Sequence, residues 1–118
     1  MLSTTELKFM HIIWKNEPIN SSELVKICEK EFGWKKSTTY TFIKRLEKKN
    51  VLENKSTIVK SIKTKSEILK CESNKIIEDR FKGSFVHFVS AFLSDNNISV
   101  NELEEIKKII SDYEESLK

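Results

Sequence analysis

"KKSTTYTFIKRLEKKNVL", residues 35–52, sets ten Lys, Arg, Ser and Thr side chains around a few well-spaced apolar ones. At about 100° per residue, Thr39, Phe42, Ile43 and Leu46 share one side of a helix. The opposite side collects Ser37, Tyr40, Thr41, Lys44 and Lys48, with Thr38 and Arg45 at its flanks. Asn50 suits a helix stop because asparagine tolerates positive φ. A lone run of charge usually solvates a helix. Here a core face and a hydroxyl-rich, basic face are segregated on the same segment, which points to a surface that lies against something negatively charged.

Two further helices are expected upstream. In "STTE", Ser3 and Glu6 have the spacing of a capping box, after which Leu7, Met10, Ile13 and Trp14 recur at helical intervals. Pro18 breaks that pattern, since it has no N–H to donate and disfavours helical geometry at Glu17. "NSSE" then starts a second helix, capped by Asn20 with Glu23 three residues on, which places Leu24, Ile27, Cys28 and Phe32 on one side. Gly33 ends it by accepting a left-handed turn. Downstream, "VLENKSTIVKSIKTK" is short, β-branched and basic, and a polar turn around residues 54–57 makes it a hairpin.

Three helices followed by a basic hairpin is the order of a winged helix-turn-helix, in which the third helix enters the DNA major groove and the hairpin reaches the backbone. The chemistry suits that placement. Lys44, Lys48, Lys49, Lys55, Lys60 and Lys63 can neutralise phosphates. The hydroxyls of Thr38, Tyr40 and Thr41 and the forked guanidinium of Arg45 can fix register or read base edges. The competing reading is a winged-helix interaction module whose basic face docks an acidic protein; a steep loss of affinity with salt and a preference for a palindromic duplex separate the two.

Charge is divided along the chain. The net +3 of the 118 residues hides a first part, residues 1–66, with 14 Lys/Arg against 7 acids, and a second, residues 67–118, with 7 against 11. Residues 35–65 hold ten Lys/Arg and only Glu47 and Glu53 as acids. The basic block favours a polyanionic partner. Composition, with 38% hydrophobic and 33% charged residues, two Gly and one Pro, suits a mostly helical folded domain. No apolar run approaches the roughly 20 residues needed to cross a bilayer, so membrane insertion is not expected and a cytoplasmic location is.

The second part reads as a helical dimerisation region. Ile76, Ile77 and Phe81 lead to Gly83; Phe85, Phe88, Val89, Phe92 and Leu93 then follow on one stripe. "SVNE" offers a second capping box, Ser99 with Glu102, ahead of Leu103, Ile106, Ile110, Tyr113 and Leu117, which step by three, four, three and four. About 50 residues make a poor solitary core, so a second copy of the chain is the economical cover for this surface. The expected architecture is therefore mainly α with a small β-hairpin wing: a winged-helix DNA-binding domain over residues 1–66 and helical dimerisation over 67–118.

The stretches "ELKFMHIIWKNEPINSSEL", "TTYTFIKRLEKKNVL", "DRFKGSFVHFVSAFL" and "NELEEIKKII", in that order and spacing, resemble the penicillinase-repressor family of the BlaI and MecI type over nearly the full length. Trp14 matches the tryptophan that closes the first helix of that family, and Thr38, Thr41, Arg45 and Leu46 match its recognition helix. The resemblance implies a homodimeric repressor, associated with antibiotic resistance, that binds a palindromic operator in double-stranded DNA. It also implies induction by a membrane sensor protease that cuts within the dimerisation region. Where the best-known members carry the Asn-Phe cut site, this chain has Ala91-Phe92, and where some carry arginine it has Tyr40.

Other chemistries find little purchase. Cys28 and Cys71 stand alone, without CxxC spacing or a nearby His pair, and read as free thiols. His11 and His87 lie far apart without carboxylate or thiolate partners in sequence. Trp14 and Trp34 read as packing residues ahead of base-stacking platforms, and the phenylalanine stripe as interface ahead of a ligand box. No phosphate loop or nucleophile motif occurs, so no cofactor, metal or enzymatic activity is expected.

Overall fold

The computed structural model describes residues 1–95 and 98–118. Six helices and three short strands follow one another: α1 (Thr4–Asn16), β1 (Ile19–Asn20), α2 (Ser21–Phe32), α3 (Lys36–Lys48), β2 (Leu52–Lys55), β3 (Ile58–Ser61), α4 (Lys65–Phe81), α5 (Phe85–Leu93) and α6 (Val100–Ser116). They form two compact units, Met1–Ser73 and Asn74–Lys118, with the division falling inside α4.

Local chemistry sets most of the boundaries in the first unit. At the start of α1, the Ser3 hydroxyl accepts from the Glu6 N–H at 3.1 Å and the Glu6 carboxylate accepts from the Ser3 N–H at 2.8 Å. Asn20 caps α2 by accepting the Ser22 N–H at 2.9 Å, while Glu23 pairs outward with Lys26 instead of closing a box. Gly33, with φ of 68°, ends α2 in the left-handed region, and Asn50, with φ of 60°, turns the chain out of α3.

The hairpin forms as β2 and β3, registered Glu53 to Lys60 and Asn54 to Val59. Ser56 and Thr57 connect them with φ of 52° and 68°, as a two-residue turn matched to the twist of its strands requires. One strand was not expected from the sequence. β1, only two residues long, pairs antiparallel with β3 at Ile19–Val59 and Asn20–Ile58, giving the sheet order β1-β3-β2.

The core of this unit lies between α1, α2, α3 and the sheet, with Phe9, Met10, Ile13, Leu24, Cys28, Ile43, Leu46, Leu52 and Val59 all buried. Removing one of these large side chains, as in Leu46→Ala, costs about 2–5 kcal/mol. Phe9, Phe32, Trp34 and Phe42 form an aromatic cluster, with Trp34 centred 4.5 Å from Phe42, 4.7 Å from Phe32 and 5.9 Å from Phe9. Ile68, on the first turns of α4, also packs into this core.

In the second unit, Ser84 caps α5 and a full Ser99–Glu102 capping box starts α6. Gly83 supplies the φ of 81° that follows α4. None of the helices here buries a residue of its own fully beyond Ser73, and Phe85, Phe92, Ile109, Ile110, Tyr113 and Leu117 are exposed.

Candidate nucleic-acid interface

The apolar face of α3 docks through Thr39, Ile43 and Leu46, so the opposite face is fixed toward solvent. Thr41, Lys44, Arg45 and Lys48 are exposed together on it and line one shallow depression. Phe42, expected in the core, is half-buried, and the Arg45 guanidinium lies over its ring at 4.5 Å from the centroid. The Thr41 hydroxyl donates to the Ser37 carbonyl at 2.9 Å, keeping its methyl and oxygen on the outer face. Thr38 is half-buried at the start of the helix. Tyr40 is half-buried too, and its hydroxyl shares a 3.2 Å hydrogen bond with that of Ser21.

The N-terminus of α3 breaks a local rule. Lys35 occupies the cap position without a side-chain hydrogen bond, and the first turn contains no acid. Lys35 and Lys36 thus sit at the positive end of the helix dipole, where cations are disfavoured and anions attracted.

The wing adds its cations beside this helix. Lys55 and Lys60 reach the same Glu53 carboxylate, at 3.4 and 3.5 Å, and all three belong to the hairpin. These pairs are solvent-exposed at their lysine ends and weakly held, so a phosphate can compete for either ammonium. Lys63 is exposed just beyond β3; its carbonyl accepts from the Trp14 indole N–H at 3.0 Å. Glu17 accepts from both the N–H and the hydroxyl of Ser61, at 3.2 and 2.8 Å, so the end of α1 anchors the wing's return strand.

One lysine expected at the phosphates is engaged elsewhere. The Lys49 ammonium lies 3.0 and 3.1 Å from the two Glu6 carboxylate oxygens, tying the end of α3 to the start of α1. Burial alone would raise the Glu6 carboxyl, but the Ser3 N–H and the Lys49 ammonium outweigh it and hold Glu6 below the ordinary carboxylate range. Burial raises the Cys28 thiol, against the smaller opposing effect of the Thr39 hydroxyl. Cys28 is buried and Cys71 exposed, both free. Among the described residues, no group of three or more His, Cys, Asp and Glu is placed to hold a metal ion, and no helix is long and apolar enough to cross a membrane.

The residues expected at a dimer interface gather within the second unit. Phe81 meets Phe88 edge-on at 5.3 Å, and Phe85 stacks on Phe88 at 6.2 Å. Phe85, Phe88, Val89, Phe92, Leu103 and Ile106, with Leu93 and Ile98, line an open and wholly apolar groove. Ile110 and Tyr113 are exposed further along α6. Ala91 and Phe92, at the aligned cut position, are exposed in the last turn of α5.

A docked helix pair presenting a basic third helix beside a basic hairpin defines a winged helix-turn-helix. A profile of the penicillinase repressor family matches residues 2–112, and the chain belongs to that family. The penicillinase repressor of Bacillus licheniformis is 27% identical over 116 residues, covering 95% of this chain and 91% of that one. The methicillin resistance regulatory protein MecI of Staphylococcus aureus strain Mu50 is 28% identical over 114 residues, 93% of each chain. The solution structure of the Bacillus licheniformis BlaI monomeric form in complex with the blaP half-operator superposes with a TM-score of 0.50 at 30% identity, over 57% of this chain and 87% of that one. Family members are regulators and not enzymes, so the sequence-based expectation of a non-enzyme stands on the family.

Proposed function

We propose that the chain is a homodimeric transcriptional repressor that binds a palindromic operator. α3 enters the major groove with Thr38, Thr41 and Arg45 toward base edges and Lys44 and Lys48 toward phosphates, while Lys55, Lys60 and Lys63 hold the backbone from the wing. The observation that carries this reading is the exposed face of α3, where Thr41, Lys44, Arg45 and Lys48 stand together above a buried Ile43 and Leu46. The uncapped, lysine-bearing N-terminus of the same helix favours an anionic partner independently.

Residues 1–66 carry the DNA contacts and residues beyond them the dimerisation, through Phe81, Phe85, Phe88, Val89, Phe92, Leu103, Ile106, Ile110 and Tyr113. Two linked half-site binders gain an effective concentration that separate ones lack. Release therefore needs only disruption of the dimerisation region, by a membrane sensor protease or another agent. Selection of bound genomic fragments with the purified protein tests the reading. The expected result is enrichment of a palindrome whose affinity falls steeply with salt. Binding that ignores duplex sequence and salt, with capture of an acidic protein instead, overturns it.

A further inference from the structure

Thr57 is β-branched and adopts φ of 68°, a conformation such residues rarely accept. Strain of this kind persists where neighbouring contacts over-determine it. The Ser21 N–H donates to the Thr57 carbonyl at 2.7 Å, and the Asn20 amide donates to the Thr57 hydroxyl at 3.2 Å. The turn of the wing is thereby held on the N-terminus of α2. Ser21 itself is 2% exposed, and its hydroxyl meets the Tyr40 hydroxyl of α3. A buried hydroxyl left without a partner is unfavourable, so this bond is retained by the packing around it. Tyr40 therefore differs from Thr41, Lys44, Arg45 and Lys48, whose side chains are exposed.

We propose that Tyr40 is a positioning residue and not a DNA contact: through Ser21 it locks α3 to the start of α2, and through Ser21 and Asn20 to the wing turn at Thr57. α3 and the wing, the two elements set against the duplex, are then held in one register through the start of α2. The inference rests on the DNA-binding reading above and changes the role that the sequence alone suggests for Tyr40. A tyrosine hydroxyl committed to Ser21 has less capacity to discriminate a base, whereas a displaced α3 or wing weakens every contact at once.

The test is a double-mutant cycle in the full chain with Tyr40→Phe, Ser21→Ala and the double variant, titrated on the selected operator and on versions altered at single base pairs. Each single variant is expected to lose about fivefold in affinity, the scale of one neutral hydrogen bond, by the same factor on every duplex. The double variant should lose no more than either single one. Additive losses, a loss confined to one base pair, or unchanged affinity in Tyr40→Phe overturns the proposal. Thr57→Gly extends the test to the wing, since glycine accepts the left-handed turn while removing the hydroxyl bonded to Asn20. Weaker binding at an unchanged or raised unfolding midpoint supports the link, and unchanged binding overturns it. If the wild-type chain itself binds no duplex, the DNA-binding reading fails first, and that result is distinct from any pattern within the cycle.

Discussion

Arg45→Ala separates recognition from stability because the side chain contributes little to the fold. Arg45 is exposed, and its guanidinium lies over the Phe42 ring at 4.5 Å from the centroid. A cation over an aromatic face at an exposed site is worth about 0.5–1 kcal/mol, which bounds the expected loss of folding stability. A forked guanidinium on a base edge is worth about 1–3 kcal/mol of discrimination. Operator affinity should thus fall by about 5- to 150-fold, while the urea midpoint moves only slightly. Arg45→Lys refines the experiment: it keeps the charge and loses the fork, so it should retain non-specific affinity yet lose preference for the operator. Fluorescence anisotropy on operator and scrambled duplexes, at two salt concentrations, reads both quantities. A folded Arg45→Ala protein with unchanged operator affinity and unchanged discrimination would refute the placement of this helix in the groove.

Lys60→Ala or Lys63→Ala should weaken all duplexes alike and reduce the slope of log affinity against log salt by about one, as a lost phosphate contact does; a loss on a single sequence would point to base reading instead. Phe88→Asp and Ile106→Asp each place a charge in the apolar groove of the second unit, so sedimentation should show monomers and operator affinity should drop; full dimers with full affinity would refute the coupling. Glu6→Gln should lower stability at neutral pH and flatten its acid limb. A carboxyl held below its unfolded value stabilises above that value and loses the contribution as pH falls through the folded one, so urea midpoints measured from neutral to acid pH should converge for Glu6→Gln and wild type.

What was legible in the sequence was local, and what was missed depends on distant partners. The Ser3–Glu6 and Ser99–Glu102 boxes, the Gly33 and Asn50 stops and the hairpin turn each involve residues within a few positions, so pattern alone exposes them. Two-residue β1 has no such pattern, because it exists only by pairing with β3 almost forty residues later. Periodicity in α1 picked out Leu7, Met10, Ile13 and Trp14 but missed Phe9, which is fully buried against Trp34 and Phe42. Lys49 looked like a phosphate contact because it continues the basic run; a buried Glu6, 43 residues away, claims it instead. Tyr40 falls on the outer face of the helical wheel, yet the wheel knows nothing of Ser21.

The start of α3, which the proposed DNA-binding reading sets against the duplex, departs from the local rule that the other helix starts follow. Ser3, Asn20, Thr64, Ser84 and Ser99 each bond a backbone N–H near the start of a helix, whereas Lys35 at the start of α3 bonds none through its side chain. A missing cap costs a helix about 1 kcal/mol, and two lysines at the positive end of its dipole add to that. Thr39, Ile43 and Leu46 anchor the helix from below, and the Lys36 ammonium at its start lies 6.0 Å from the centre of the Tyr40 ring. An anion lying across the N-terminus reverses both effects: free N–H groups gain an acceptor, and the lysines gain a counter-charge. The helix is therefore suboptimal by itself and suited to a complex, as expected where consistency across levels of structure yields to binding.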